Sequence, residues 1–134
     1  MMNSSDERFK LLLDEIGRPC REFNDDGSYQ GCFYPVKFLY PKLPDFVPPF
    51  DDDKNYDYGI AEFQKYCTEI PLEDGFLPGD IIVTRFLKTL HVAIYWEFGK
   101  IIHVFSGRNL EIGKIKMFRR YRCFRPFPEF FGSL

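Results

Sequence analysis

The sequence predicts an α+β domain in which N-terminal helices pack on a mostly antiparallel β-sheet. Two observations carry this prediction. Apolar residues recur at helical spacing in the first half of the chain, and from about residue 81 onward they alternate with a period of two. Helices that come first and strands that come later are typical of a domain in which an antiparallel sheet is covered by helices.

The length and composition fit one compact domain. The chain has 134 residues, which suffices for one modest core, so we treat residues 1–134 as a single domain. Hydrophobic residues make up 45% of the chain and aromatic residues 19%, with sixteen Phe. Because each phenylalanine buries a large apolar area, this composition predicts an ordered, globular protein.

The first helix is predicted over residues 7–16. Ser4-Ser5-Asp6 provides a cap before it, and Gly17 with Pro19 ends it. Its apolar positions recur at helical spacing: Phe9, Leu12, Leu13 and Ile16. Residues 24–28 are rich in Asn, Asp, Gly and Ser and predict a turn.

A short second helix is predicted to begin near Cys32 and to end before Pro41. Proline fits only the first turn of a helix, where its missing N–H would have no partner anyway. If Pro35 is helical, the helix begins no earlier than about Gly31 or Cys32. The cysteine then lies at or beside the helix N-terminus. Residues 41–53 are rich in Pro and Asp and predict a surface excursion.

The remaining elements are one more helix and a series of strands. A third helix is predicted over residues 56–67, with Ile60, Phe63 and Cys67 on one side. The period then changes to two, which predicts strands at residues 81–84, 91–96 and 100–105. Further strands are expected within residues 112–124.

The loop at residues 97–99 sets the register between two predicted strands. A three-residue loop Glu97-Phe98-Gly99, with Gly99 in the left-handed conformation, would pair Trp96 with Lys100. A two-residue loop would shift the register by one and would turn the side chains of one strand to the other face.

The three-residue loop brings the chain's two histidines together. Counting back from the loop sets His103 opposite Ala93, which shares a face with His91. The histidines then become diagonal neighbours whose Cβ atoms lie on the order of 7 Å apart. We therefore predict a hydrogen bond between the two imidazoles.

Cys32, His91 and His103 are the candidate catalytic residues. Cysteine attacks as the thiolate, and a helix N-terminus and a neighbouring histidine both favour that form. The histidine must in turn hold one tautomer and one orientation, which requires a third group on its other ring nitrogen. The three residues fill the roles of nucleophile, base and orienting group.

Structural alternatives remain open for each of these residues. Cys32 lies among aromatic residues and could be an ordinary buried thiol, and a strand histidine is often structural. A zinc site from the three residues and another cysteine is conceivable, but no Cys-x-x-Cys or His-x-x-x-His spacing supports it. We expect no cofactor and no metal, and Cys67 and Cys123 fit core thiols.

Several motifs occur in the order typical of one enzyme family. They are Gly17-Arg18-Pro19-Cys20, Cys32, Phe76-Leu77-Pro78-Gly79-Asp80, His91-Val92-Ala93-Ile94-Tyr95 and Ile101-Ile102-His103. In this order the chain resembles the NlpC-type cysteine peptidases of bacteria and phages, a papain-like superfamily whose members cleave cell-wall peptides. The resemblance covers roughly residues 9–124.

The resemblance implies a papain-like fold and a Cys-His-His triad. By it, Cys32 is the nucleophile, His91 the base and His103 the third member, and the backbone N–H of Cys32 helps to bind the oxyanion. The family's usual Asp-Cys-Ser-Gly is here Gly31-Cys32-Phe33-Tyr34, and Cys20 stands where the family has a tyrosine.

Three functions follow as alternatives. The first is a thiol hydrolase that cleaves an amide bond, with peptidoglycan stem peptides as the substrate that the resemblance implies. The second is a non-catalytic binding or phage-tail assembly module on the same fold, which the altered cysteine context favours. The third is a papain-like acyltransferase, in which an amine or lipid replaces water as acceptor.

The charge pattern bears on partners and location. A net charge of −2 argues against nucleic acid as the main partner. The basic cluster of residues 114–125 is either a solvated strand face or a contact for an acidic polymer or substrate. No secretory signal or membrane span is recognisable, so we expect a cytoplasmic product that leaves only within a virion or by lysis.

Overall fold

A computed structural model describes residues 7–18, 31–44, 54–86, 89–105 and 108–131. The predicted cap at residues 4–6, the residues Pro19 and Cys20, the turn at residues 24–28 and most of the excursion at residues 41–53 lie outside the described residues. None of the helices in the described ranges is both long and apolar enough to cross a membrane.

The fold is α+β, as predicted, and its sheet has six strands. Neighbouring strands are antiparallel, and the order across the sheet is β1-β6-β2-β3-β4-β5. In chain order the elements are α1 (Glu7–Asp14), α2 (Tyr34–Leu39), α3 (Lys54–Tyr66), β1 (Cys67–Ile70), β2 (Ile81–Phe86), β3 (Thr89–Tyr95), β4 (Lys100–His103), β5 (Glu111–Lys114) and β6 (Arg122–Pro126).

The start of α2 confirms the argument from proline. Pro35 lies in the first turn of α2, and a 3-10 turn, Gly31–Phe33, leads into the helix. Cys32 belongs to that turn, so it lies beside the helix N-terminus, as predicted. The α-helix itself starts at Tyr34, which puts Pro35 at its second position. Proline is tolerated there because its missing N–H would have no helical partner in the first turn.

The sequence did not predict β1. Cys67 was expected to end the third helix, but it is the first residue of β1 and pairs with Pro126 of β6. No glycine or proline separates helix from strand here, so the sequence carries no local stop signal. The long-range pairing with β6 makes the strand. Ile60 and Phe63 are buried, as predicted.

The hairpin between β3 and β4 has the predicted geometry. Gly99 has φ +75°, and the Trp96 N–H donates to the Lys100 carbonyl oxygen at 2.9 Å. Across the two antiparallel strands, Ile94 pairs with Ile102 and Tyr95 pairs with Ile101. Continuing this register by one residue sets His103 opposite Ala93, as the loop length predicts.

The two faces of the sheet carry separate apolar clusters. The helix-side core joins the helices to one face, and the open-side core covers the other face. Main members of the helix-side core are Phe9, Leu12, Val36, Leu39, Ile60, Phe63, Ile81, Val83, Leu90, Val92, Ile94, Ile102 and Phe124. The open-side core consists of Ile82, Ala93, Ile101, Phe118 and Cys123. Because side chains alternate along a strand, His91 and His103 share the face of the open-side core.

The turn before β2 is tied to both layers of the fold. The Asp80 carboxylate accepts hydrogen bonds from the Leu77 N–H at 2.8 Å and from the Arg125 guanidinium at 2.8 and 2.9 Å. The Tyr40 hydroxyl donates to the Gly79 carbonyl oxygen at 2.6 Å. The Pro78-Gly79-Asp80 motif therefore fixes how β2 enters the sheet.

Candidate functional site

The two imidazoles form a direct pair. His91 Nε2 lies 3.0 Å from His103 Nδ1, which confirms the predicted hydrogen bond. The hairpin register places both rings on one face, so the contact follows from the three-residue loop. In this arrangement one of the two nitrogens carries the proton and the other accepts it.

The pair is enclosed by aromatic rings. His91 and His103 are 5% and 1% exposed. The His91 ring stacks on Phe105 at a centroid distance of 4.7 Å with an interplanar angle of 16°. Phe118 lies against both imidazoles, with centroid distances of 5.6 and 6.1 Å, and Phe86 also contacts His91. The rings exclude water from the hydrogen bond.

This environment keeps both imidazoles neutral near pH 7. Burial, followed by the neighbouring His103, lowers the pKa of His91 to about 3. Burial also lowers the pKa of His103, against the opposing effect of the Glu111 carboxylate. A neutral His91 keeps a lone pair and can accept a proton.

Glu111 is a fourth polar residue in this arrangement, and sequence analysis missed it. It pairs directly with His103 across β4 and β5. Its Oε1 atom lies 3.8 Å from His103 Nε2. The carboxylate favours a proton on that nitrogen, which leaves His103 Nδ1 as the acceptor for His91 Nε2–H. Glu111 therefore biases the tautomer of the whole pair.

Gly113 provides the space for the His103 ring. A Cβ atom at this position would lie 2.6 Å from His103 Nε2 and 3.2 Å from its Cδ2. Contacts below about 3 Å are strongly repulsive, so a larger residue would displace the ring. Only a residue without a side chain leaves room for the His103 imidazole at this place.

We expect Gly113→Ala to disrupt the imidazole pair. The added methyl group should move the His103 ring and lengthen its bond to His91, at a cost of about 1–3 kcal/mol in the free energy of unfolding. Urea unfolding measures the cost, and the imidazole ¹⁵N signals report the hydrogen bond.

Gly75→Ala separates ring displacement from backbone strain. Gly75 has φ +76° and ψ 153° with open space around it, so alanine there should cost about 1–3 kcal/mol through the backbone alone. Its imidazole signals should match the wild type. Unchanged imidazole signals in Gly113→Ala would show that the glycine is not needed for the pair.

Cys32 reaches the sheet from the other layer. It is half-buried and packs against the helix-side core. Its thiol lies 4.0 Å from the carbonyl oxygen of Leu90, the residue directly before His91. The structure therefore brings His91 and His103 together, but it places the Cys32 thiol on the opposite face of β3, at the backbone of Leu90.

The other described cysteines have the environment of core thiols. Cys67 and Cys123 are buried, as predicted. Burial raises the pKa of Cys67 to about 12 and raises that of Cys123 as well. In the part of the chain that the structure describes, no three His, Cys, Asp or Glu side chains are grouped as a metal site would need.

No protein-family model matches the chain, and no curated protein is similar enough in sequence to count as a relative.

Proposed function

We propose that the protein is a thiol hydrolase with a papain-like, NlpC-type fold, in which Cys32 attacks an amide bond. The observation that carries the proposal is the contact between His91 Nε2 and His103 Nδ1, next to the point where Cys32 meets β3. A nucleophile, a base and an orienting group in this order are what thiol catalysis requires.

The hydrogen-bond pattern supports Nδ1 of His91 as the proton-accepting nitrogen of the proposed mechanism. His91 Nε2 is engaged by His103, so Nδ1 is the nitrogen that would serve the thiol. Nδ1 is bonded to the ring carbon nearest the backbone, and the Cys32 thiol lies at the peptide group that joins Leu90 to His91. With Glu111 favouring a proton on His103 Nε2, His91 Nε2 carries a proton and Nδ1 keeps its lone pair.

The reaction would proceed by acyl transfer to sulfur. The thiol lies on the helix side of β3 and the His91 ring on the open side, so this step requires His91 to turn toward the thiol. His91 Nδ1 then takes the proton of the Cys32 thiol while the sulfur attacks the substrate carbonyl carbon. The backbone N–H of Cys32 stabilises the oxyanion. His91 then returns the proton to the leaving amine, and water hydrolyses the thioester with His91 again acting as base.

The proposed substrate, a peptidoglycan stem peptide, is taken from the resemblance in sequence motifs. The NlpC-type enzymes that the chain resembles cleave cell-wall peptides, so a peptidoglycan stem peptide is the first substrate to test. A location inside the cytoplasm or in a virion is compatible with this proposal.

A non-catalytic module on the same fold is the second candidate. The observation that favours it is the burial of both imidazoles among three phenylalanines. A histidine pair of this kind can serve as a polar link between strands with no role in chemistry. The module would then bind peptidoglycan or a phage-tail protein without cleaving it.

Incubation with purified peptidoglycan fragments distinguishes these candidates. We expect the wild type to release a stem-peptide product with the mass of one added water, and Cys32→Ala to release none. Product masses give the bond that is cleaved. A product joined to an added amine instead of water would identify an acyltransferase.

The matched control is Cys67→Ala, which removes a buried thiol whose high pKa keeps it protonated. It should retain hydrolysis once its folding is confirmed by circular dichroism. Full activity in Cys32→Ala would rule out the hydrolase mechanism. Binding of fragments by a wild type that cleaves none of them would favour the second candidate.

A further inference from the structure

A pocket of about 480 Å³ lies between α3 and the start of β6, outside the proposed triad. Its volume falls within the range of small-molecule sites. It combines guanidinium groups with aromatic rings, and its lining consists of Tyr56, Leu72, Arg119, Arg120, Tyr121 and Arg122. The basic cluster seen in the sequence therefore forms part of a concave surface.

The pocket carries an excess of positive charge. The Arg122 guanidinium is bonded to the Glu69 carboxylate at 2.5 and 2.9 Å. Arg119 and Arg120 are exposed, and within the described residues neither is paired with a carboxylate. Three arginines less one glutamate leave two positive charges for a ligand.

Two contacts connect the pocket to the imidazole pair. The Thr84 hydroxyl donates to the Arg120 carbonyl oxygen at 2.6 Å, and Thr84 pairs directly with His91 across β2 and β3. Phe118, which precedes Arg119, contacts both imidazoles. The loop that builds the pocket is thus fixed against the candidate catalytic residues.

The register sets the distance between the strand that carries Arg122 and the strand that carries His91. Arg122 on β6 pairs with Val83 on β2, and the next residue of β2, Thr84, pairs with His91 on β3. Two strand spacings separate β6 from β3, which amounts to roughly 10 Å. An extended chain covers that distance in about three residues.

We propose that this pocket binds an anionic group, a carboxylate or a phosphate, on the substrate whose amide bond meets Cys32. Guanidinium groups match both anions through paired N–H donors, and the tyrosine rings add apolar contact and hydroxyl donors. The substrate is then an acidic amide whose charged group is bound about 10 Å from β3, the strand that carries His91. The substrate part rests on the proposed hydrolase function, whereas anion binding does not.

Anion binding is tested on Cys32→Ala protein, which removes turnover from the measurement. Inorganic phosphate and succinate are titrated separately, and the ¹⁵N signals of Arg119 and Arg120 are followed. We expect saturable shifts with at least one probe, and the tighter probe identifies the anion class. Arg119→Gln/Arg120→Gln should weaken binding by at least about tenfold.

Lys114→Gln/Lys116→Gln is the matched control, because it removes the same charge from exposed positions of the same cluster outside the pocket. It should change the affinity by less than about twofold, since only long-range attraction is lost. Equal losses in the two double variants, or no saturable shift with either probe, would overturn the anion site.

The proposal that the pocket binds the anionic group of the substrate is tested separately, by steady-state kinetics with Cys32 intact. Arg119→Gln/Arg120→Gln should raise KM for an acidic fragment by about tenfold while kcat stays within about twofold. An unchanged KM would overturn the substrate link. Anion binding without hydrolysis by the wild type would overturn the proposed function and that link, and would leave the anion site in place.

Discussion

Replacing His91 with phenylalanine should lower the rate of the proposed hydrolysis by roughly 10²–10⁴-fold, the usual contribution of a general base. The phenyl ring can occupy the same place, stacked on Phe105, but it offers no lone pair to the Cys32 thiol. Steady-state kinetics on a cleaved fragment measure the loss. His103→Phe should lose less activity, because in the proposed mechanism His103 acts only through His91.

The same substitution should reduce the acid sensitivity of the fold. In the unfolded chain a histidine binds a proton near pH 6.5, whereas folded His91 does so only near pH 3. Between these pH values the unfolded state binds more protons, so the wild type loses stability as the pH falls. The slope from this residue is at most roughly 1.4 kcal/mol per pH unit.

Urea unfolding at several pH values between 3 and 7 tests this expectation. The free energy of unfolding should fall less steeply in His91→Phe than in the wild type, even where its value at pH 7 is lower because His103 Nδ1 has lost its partner. Identical slopes would mean that His91 titrates normally in the folded protein. Full hydrolysis by the variant would remove His91 from the mechanism.

Local turn chemistry explains which parts of the site the sequence could predict. The loop at residues 97–99 is short and ends in a glycine, so it determines the β3–β4 register and, through it, the contact between His91 and His103. The proline at position 35 likewise placed Cys32 before a helix. Both arguments use interactions within a few residues.

The missed features depend on contacts between distant parts of the chain. β1 follows α3 without a breaker and exists because β6 pairs with it. Glu111 and Gly113 lie beside His103 through the β4–β5 register, which no short turn fixes, because seven residues separate the two strands. Sequence periodicity cannot supply such a register.

The Pro78-Gly79-Asp80 motif illustrates the same limit. In the sequence it predicts only a turn that leads into a strand. The structure adds a partner 45 residues away, since Asp80 holds the Arg125 guanidinium through two hydrogen bonds. The aspartate therefore joins the start of β2 to β6. This long-range ion pair stabilises the fold and cannot be predicted from the turn propensity of the motif.

Asp80→Ala should lower the free energy of unfolding by about 3–5 kcal/mol, the range for breaking a buried ion pair from one side. The Asp80 side chain is 3% exposed, and the Arg125 side chain is 25% exposed. Loss of the carboxylate leaves the guanidinium largely out of water without its acceptor, and leaves the Leu77 N–H without a partner. Urea or thermal unfolding gives the magnitude.

Glu69→Ala is the matched control, because Glu69 makes the same kind of two-bond pair with Arg122, also on β6. The Glu69 side chain is 41% exposed, so water can replace its bonds and the loss should stay below about 1 kcal/mol. Equal destabilisation by the two substitutions would show that burial does not set the strength of the Asp80 pair. A large loss for Asp80→Ala alone would mean that the Asp80 carboxylate holds the turn before β2 in place. The same carboxylate would then also position β2, the strand that pairs with β3 beside His91.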